Sequence, residues 1–237
     1  MKVSVDMSKS NGFKGQIVYI KGHKKSEEQA QMSLKSFQKY KGWDLQLIEG
    51  LTPKTVDAEV DIIKNSRLHD FKRENYNRYL TKVSCALNHI EFYKKVIEAD
   101  EPMAFLEHDA VCIGNWDDYD FEDYLILNAE FVFKAPNKLG LQQFKNYVWP
   151  SFGVCDMPTN YPLLYHKDNA WKDSMMAPGT GAYAISPSGA KKILYSVEKH
   201  GLDQSDFMIN SKNVRIQYVI PSPVKFASVN LSTSYGI

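Results

Sequence analysis

Apolar and polar stretches alternate along the chain in a pattern that predicts strands and helices in turn. Short apolar runs at residues 16–20, 45–48 and 103–106 predict buried strands, because runs of about four to eight residues without helical spacing are typical of an α/β sheet. Between the first two runs, Ser26 and the acidic Glu27 are typical of a helix N-terminus. This order of strand, helix and strand indicates a sheet of the kind that binds nucleotides.

The clearest helical pattern covers residues 81–98. Apolar residues such as Ala86 and Ile90 recur there at the spacing of one helix face. Thr81 or Ser84 is the expected N-terminal cap. The segment before this helix is highly polar and predicts loop and short helix near the surface.

The second half of the chain predicts further strands and a well-capped helix. Apolar runs predict strands at residues 124–127, 131–133, 183–185 and 214–220. Ser186 is expected to cap the next helix, with Pro187 at its first position and Gly201 at its end. The glycines that precede the strand at 183–185 permit a close approach of the backbone to a ligand.

One domain with a short leader is the expected organisation. Residues 1–14 are polar and rich in turn-forming residues, so we expect a flexible leader there, followed by a domain over residues 15–237. Residues 134–178 are rich in Pro, Asn, Tyr and Trp and have no clear periodicity. A connection this long inside a compact domain is usually functional or mobile, which predicts an insertion or lid over a binding site.

Composition narrows the class of protein. At 237 residues, with 43% hydrophobic and 24% charged residues, the chain is an ordinary globular protein with room for a sizeable core. A net charge of +1 gives no support for nucleic-acid binding. The cysteines Cys85, Cys112 and Cys155 lack paired spacing, which argues against a disulfide framework or a zinc site. Without a signal-like or membrane-spanning apolar run, we expect a cytoplasmic protein with at most peripheral membrane contact.

An acidic pair at the end of the third predicted strand is the main candidate for chemistry. Glu107 and Asp109 follow the apolar run at 103–106 and would lie at the carboxyl edge of the sheet, where ligands bind. Hard ions such as Mg²⁺ and Mn²⁺ are often shared between one or two carboxylates and a phosphate, so the pair predicts handling of a diphosphate. The alternative is a strand that simply leaves the core. Lys72, Arg73 and Arg78 could approach a phosphate, although a solvated charged face is favoured.

Three blocks in order resemble glycosyltransferase family 25, the family of bacterial lipopolysaccharide glycosyltransferases and collagen galactosyltransferases. Residues 83–94 read VSCALNHIEFYK and are similar to the G-C-A-L-S-H helix of that family. Residues 103–111 read MAFLEHDAV, where the family has an apolar strand followed by E-D-D. Residues 181–194 read GAYAISPSGAKKIL, close to the family pattern G-x-x-Y-x-I-S-x-x-G-A-x-K-L. The likeness spans nearly the whole chain.

The resemblance implies an α/β, GT-A-like single domain with a mixed, mostly parallel central sheet flanked by helices. It implies a hexosyltransferase that moves a sugar from a nucleotide-sugar donor, UDP-galactose or similar, to a glycan or lipid-linked oligosaccharide acceptor. The transfer is expected to proceed with inversion, in lipopolysaccharide or surface-glycan biosynthesis, with residues 134–178 on the acceptor side. Glu107 and Asp109 match the outer positions of the acidic motif and are expected to hold Mn²⁺ or Mg²⁺ against the donor diphosphate. His108 replaces the middle aspartate, which weakens the expectation of metal dependence.

The remaining candidate residues follow from the same blocks. Asp203 and Asp206 lie after the third block, where the family often carries an acidic residue, and are candidates for the base of an inverting transfer. The alternative for both is ordinary helix capping. His89 and Gly181 are candidates for contact with the donor; the alternatives are a core histidine and a tight strand entry.

Two other functions remain open from the sequence. A catalytically silent nucleotide- or glycan-binding module on the same fold is motivated by His108 in the acidic motif. A metal-dependent phosphodiesterase or other hydrolase is motivated by the paired carboxylates, and it predicts further His and Asp ligands at the same site.

Overall fold

A computed structural model describes residues 12–56, 66, 68, 75–132, 152–157, 174–177 and 179–227 of the chain. Within these ranges it has nine strands and five helices. The strands are β1 Phe13–Tyr19, β2 Trp43–Glu49, β3 Met103–Glu107, β4 Ala110–Cys112, β5 Tyr124–Ile126, β6 Gly153–Asp156, β7 Ala182–Ile185, β8 Ile216–Ile220 and β9 Val224–Phe226. The helices are α1 Lys24–Phe37, α2 Tyr76–Ala99, α3 Ala129–Val132, α4 Pro187–His200 and α5 Ser205–Met208.

Seven of the strands form one mixed sheet in the order β2-β1-β3-β7-β5-β8-β6. Strand β1 pairs in parallel with β2 and β3, and β5 pairs in parallel with β8. Strands β7 and β6 pair antiparallel to their neighbours, so the other five strands share one direction. The predicted α/β fold with a mixed, mostly parallel central sheet flanked by helices is therefore confirmed. A second small sheet pairs β4 with β9.

The chain reverses its order of strand addition at β1. After β1 it passes through α1 to β2 on one side, and then through α2 to β3 on the other side of β1. Open α/β sheets bind ligands in the crevice that such a switch leaves at the carboxyl ends of the strands. The topology therefore predicts a ligand-binding site at the carboxyl ends of β1 and β3.

Hydrophobic clusters cover both faces of the sheet, and β3 contributes to both. Met103 and Phe105 face the cluster that contains the buried side chains of α2 and α4, while Ala104 and Leu106 face the cluster on the α1 side. This alternation follows the two-residue period of a strand. Because both faces are apolar, β3 is uninterrupted until Glu107, which is its first polar residue.

Helix α2 is longer than predicted. It begins at Tyr76 and is capped by Asn75, whose side chain accepts a hydrogen bond from the Arg78 amide. The predicted caps Thr81 and Ser84 were wrong, since their hydroxyls donate to the carbonyls one turn earlier inside the helix. The added turn belongs to the helix face that borders the candidate site described below.

The predicted start of α4 is confirmed and that of α1 is not. Ser186 accepts a hydrogen bond from the Gly189 amide at 3.1 Å, Pro187 opens α4, and Gly201 follows its last residue. Helix α1 begins two residues before Ser26 and is capped by His23. The Ser26 hydroxyl instead accepts from the Ile20 amide, a contact that joins the helix to the end of β1.

Three further differences concern the segments between the main elements. The strand predicted at 131–133 was wrong, because residues 129–132 form the short helix α3. The stretch 134–178 contains β6, which forms an edge of the sheet, and most of the rest of this stretch lies outside the described residues. Strand β1 begins at Phe13, so residues 13 and 14 belong to the sheet; residues 1–11 of the predicted leader lie outside the described part. None of the described helices combines the length and apolar character needed to cross a membrane.

Candidate active site

Two adjoining cavities lie at the carboxyl edge of β1 and β3. The larger has a volume of about 330 Å³ and the smaller about 100 Å³. Both are lined by Thr81, Cys85 and His89 of α2 and by Glu107 at the end of β3. These four residues therefore form a boundary with access to both cavities.

The larger cavity collects polar groups from four elements. Arg78 and Lys82 of α2 line one wall, the turn at residues 179–181 before β7 lines another, and residues 204–206 at the start of α5 line a third. Phe226 of β9 adds an aromatic ring. Positive and negative side chains thus meet in one concave space, as is typical of a site for a charged ligand.

The smaller cavity is formed by the ends of β1 and β2. Residues 18–20 and 50–53 line it together with Asn88 and Phe105. The Asn88 side chain accepts a hydrogen bond from the Leu51 amide at 2.7 Å and donates to the Leu51 carbonyl at 3.0 Å. This paired contact fixes the segment after β2 against α2.

Glu107 is the residue that connects the site to the sheet. Its amide donates to the Gly181 carbonyl at 2.8 Å, while its side chain projects to the edge where both cavities meet. By surface area the Glu107 side chain is exposed, but it lies within the cleft. Desolvation by the walls of the cleft, together with the negative charges of Asp109 and Asp206, raises the pKa of Glu107 to about 7.

Gly181 is needed at its position because two side chains occupy the space of a Cβ. An added Cβ would lie 2.6 Å from Phe226 Cζ and 3.2 Å from a carboxylate oxygen of Glu107. The predicted contact of Gly181 with the site thus has a steric basis in the described residues. Whether the donor itself touches Gly181 stays a prediction.

His108 and Asp109 occupy the turn between β3 and β4. The His108 ring lines the smaller cavity, is buried, and leaves Nε2 without a hydrogen-bond partner among the described residues. Burial lowers the pKa of His108. Asp109 also has one buried carboxylate oxygen without a partner in the described part of the chain, and burial raises its pKa. An unpaired buried carboxylate oxygen is costly unless a ligand or ion satisfies it.

His89 is buried and neutral. Its Nδ1 lies 2.8 Å from the Tyr183 hydroxyl, and its ring packs 4.2 Å from the Phe105 ring centroid. Burial lowers the pKa of His89 to about 3, so the imidazole carries no charge at neutral pH. The residue lines both cavities, but these contacts also join α2, β3 and β7 in the core.

The two candidate bases differ in position. Asp206, in the first turn of α5, is exposed to the larger cavity; burial raises its pKa, which a hydrogen bond from Thr180 and the charge of Lys82 lower. Asp203 is buried and accepts a hydrogen bond from the Gln204 amide at 2.7 Å. Asp203 does not line either cavity, and the residue that precedes α5 as its N-cap is Gln204.

Lys82 and Cys85 are site residues that were missed from the sequence, whereas their helix neighbours Arg78 and His89 were among the candidates. Arg78, Lys82, Cys85 and His89 are spaced by four, three and four positions, which places them along one face of α2. This spacing was a usable signal, but the residues are chemically mixed and did not suggest a common site. Cys85 is not activated, since burial raises the pKa of its thiol to about 11.

A cleft at the switch point of an α/β sheet, lined by carboxylates and by basic side chains, defines the class of α/β proteins that bind a ligand at the carboxyl ends of their strands. The family model described as glycosyltransferase family 25 (LPS biosynthesis protein) matches residues 16–209. The chain therefore belongs to glycosyltransferase family 25, and this membership supports glycosyltransferase activity. The matched range contains every residue of the two cavities named above except Phe226. No curated protein gives a match to the chain.

Proposed function

We propose that the protein transfers a hexose from a nucleotide-sugar donor, UDP-galactose or similar, to a glycan or lipid-linked oligosaccharide acceptor. The setting is the biosynthesis of lipopolysaccharide or another surface glycan, and the transfer inverts the anomeric carbon. The observation that carries this proposal is Glu107 at the boundary of two adjoining cavities. A transferase must hold donor and acceptor side by side, and family membership supports that use of the cleft.

The donor nucleotide is assigned to the smaller cavity at the ends of β1 and β2. Its walls are largely apolar and include the backbone of residues 50–53, which suits a flat base and its sugar. The diphosphate then extends toward Glu107, and the transferred hexose enters the larger cavity. The acceptor approaches the same carbon from the side of α5.

A divalent ion beside Glu107 is a further part of this proposal, although the second acidic residue, Asp109, lines neither cavity. The described residues contain no group of three or more His, Cys, Asp or Glu side chains that could hold a metal by themselves. Mg²⁺ is nevertheless often held by one or two carboxylates together with substrate phosphates. Glu107 and the unpaired oxygen of Asp109 are the residues that would hold Mn²⁺ or Mg²⁺ beside the diphosphate. Such an ion supplies Lewis-acid stabilisation to the departing nucleotide.

Asp206 is proposed as the general base. In an inverting transfer the acceptor hydroxyl oxygen forms the new bond to the anomeric carbon while the bond to the nucleotide diphosphate breaks. Asp206 takes the hydroxyl proton in this step, and Thr180 holds the carboxylate in place through its hydrogen bond. A pKa raised by burial makes the Asp206 carboxylate a stronger base than one in open water.

Incubation with a panel of nucleotide-sugars, Mn²⁺ and glycan acceptors tests the function. Transfer is followed by nucleotide release and by the anomeric NMR signal of the product, which reports inversion or retention. The proposal expects transfer from one donor with inverted configuration. Absence of thermal stabilisation, donor hydrolysis and transfer across the whole panel would refute it.

A silent binding module is the second candidate, and His108 is the observation that favours it. A buried imidazole takes the place of a carboxylate in the acidic motif, beside Asp109. The His108→Asp variant discriminates between the two functions. Transfer by the wild-type protein supports the enzyme, whereas donor binding without transfer, with activity gained only in His108→Asp, supports the module.

A further inference from the structure

Two basic side chains line the larger cavity at the beginning of α2. Arg78 and Lys82 lie one helical turn apart on α2 and line the larger cavity, while neither lines the smaller one. We call this part of the cavity its basic end. Asp206 lines the same cavity, close enough to Lys82 to interact with it.

We infer that Arg78 and Lys82 bind an acidic group of the acceptor, so that the enzyme uses a glycan bearing a phosphate or a carboxylate in preference to a neutral one. This inference rests on the proposed function and names the acceptor class for the same site. The shared chemistry is an anionic oxygen group, which a basic pair recognises through charge-assisted hydrogen bonds.

The lining of the two cavities separates this pair from the donor nucleotide. Arg78 and Lys82 line only the larger cavity, whereas their helix neighbours Thr81, Cys85 and His89 border both. The basic pair thus lies on the side to which the transferred hexose and the acceptor are assigned.

Local energetics support a ligand rather than a purely structural role. Burial and the charge of Arg78 lower the pKa of Lys82, and like charges one turn apart on a helix oppose each other. Lys82 Nζ donates to the neutral side-chain oxygen of Gln204, a contact that keeps the ammonium at the cavity wall. The charges of Asp206 and Asp203 offset part of this repulsion, and an anionic ligand at the basic end would offset more of it.

Asp206 connects this basic end to the chemistry. The charge of Lys82 lowers the pKa of Asp206, which shows that the two groups are close enough to interact. An acceptor anchored through its acidic group at Lys82 presents its neighbouring hydroxyls to the same region. The basic pair therefore positions the acceptor against the proposed base.

Titration of glucose 6-phosphate and of glucose into the full-length protein, with and without saturating UDP and Mn²⁺, tests the inference by calorimetry. We expect glucose 6-phosphate to bind about tenfold or more tightly than glucose, because one charge-assisted hydrogen bond accounts for such a factor. Saturation with UDP should leave this binding in place. The difference should disappear in the Arg78→Gln/Lys82→Gln double variant, in which the amide at 82 can still donate to Gln204. Lys94→Gln is the matched control, since Lys94 lies exposed on the same helix and pairs with Glu91.

Three results would overturn the inference. These are equal affinity for the two sugars, retained preference in the double variant, and displacement of glucose 6-phosphate by UDP, which would assign the basic pair to the donor. Arg78→Gln alone, at an exposed position, serves if the double variant does not fold, and it should reduce the preference in part. Absence of UDP binding would count against the proposed function, while the titrations without UDP still decide the inference.

Discussion

The Phe226 ring lies so close to Gly181 that a Cβ at position 181 would stand 2.6 Å from its Cζ atom. Strand β9 thus reaches across to the turn before β7 and closes one side of the larger cavity. The same missing Cβ leaves room for a carboxylate oxygen of Glu107. A glycine at this position is therefore a condition for the arrangement of the candidate site.

Gly181→Ala tests this contact. The added methyl group must displace Phe226 or Glu107, and overpacking of this kind costs about 1–3 kcal/mol in the free energy of unfolding. Urea denaturation of the variant measures the loss. Phe226→Leu removes the nearest ring atoms, so Gly181→Ala should cost clearly less in that background. Equal costs in both backgrounds would show that the ring is not the obstacle.

Asn88→Ala tests the segment that lines the smaller cavity. The variant removes both hydrogen bonds to Leu51, and we expect a loss of about 1–2 kcal/mol in the free energy of unfolding together with weaker UDP binding. Calorimetric titration with UDP measures the second effect. Asn88→Asp is the comparison variant, because it keeps the acceptor for the Leu51 amide and replaces the donor with an oxygen that repels the Leu51 carbonyl. An unchanged UDP affinity in Asn88→Ala would show that this segment does not contribute to donor binding.

The raised pKa of Glu107 predicts a pH dependence of stability. Between its ordinary value of 4.5 and about 7, the unfolded chain has lost the proton of this carboxyl group while the native protein retains it. The native state then binds more protons than the unfolded state, so the contribution of Glu107 to stability falls as pH rises through this window. Urea denaturation at about pH 5, 6 and 8 spans this window. The free energy of unfolding of Glu107→Gln should decrease less with rising pH than that of the wild-type protein.

Glu91→Gln is the control for that measurement, since Glu91 is exposed and paired with Lys94. The proposed function assigns UDP with Mn²⁺ to the ionised Glu107 carboxylate, so affinity should increase as pH rises toward 8, about one unit above the raised pKa. The same slope of stability with pH in wild type and Glu107→Gln would contradict the assigned pKa.

Substitutions of the two aspartates after α4 should have different effects on the rate of transfer. Asp206→Asn removes the proposed base, so kcat should fall about 10²- to 10⁴-fold while UDP affinity changes little. Asp203 lies away from both cavities, and the side-chain oxygen of Asp203→Asn can still accept from the Gln204 amide, so this variant should keep kcat close to the wild-type value. Steady-state transfer rates and denaturation curves test both variants. A larger loss of kcat in Asp203→Asn than in Asp206→Asn would reverse the assignment.

Much of the fold could be predicted because the local signals and the packing agree. Strand β3 is apolar up to Glu107, and Ser186, Pro187 and Gly201 mark the bounds of α4. Strand β6 was not predicted, since its four residues alternate only weakly and depend on pairing with β8. Ser26 was misassigned because its hydroxyl serves the end of β1, which is a tertiary contact.

The residues of the candidate site could be predicted only where they lie at the end of a predicted strand in the sequence. Glu107 follows an apolar run, so its place at the sheet edge was readable from the sequence. The spacing of Arg78 and Lys82 places them on one face of α2, but it does not show that a cavity lies beside that face. The difference between Asp203 and Asp206 depends on how α5 packs, which local sequence does not determine.

The rate of sugar transfer in wild type and in Glu107→Ala tests the central claim most directly. Donor, acceptor and Mn²⁺ are held constant, and Glu91→Ala on the outer surface of α2 serves as the control carboxylate. The account predicts transfer by the wild-type protein and by the control, and loss of both UDP binding and transfer in Glu107→Ala. Wild-type UDP affinity and transfer rate in Glu107→Ala would contradict it.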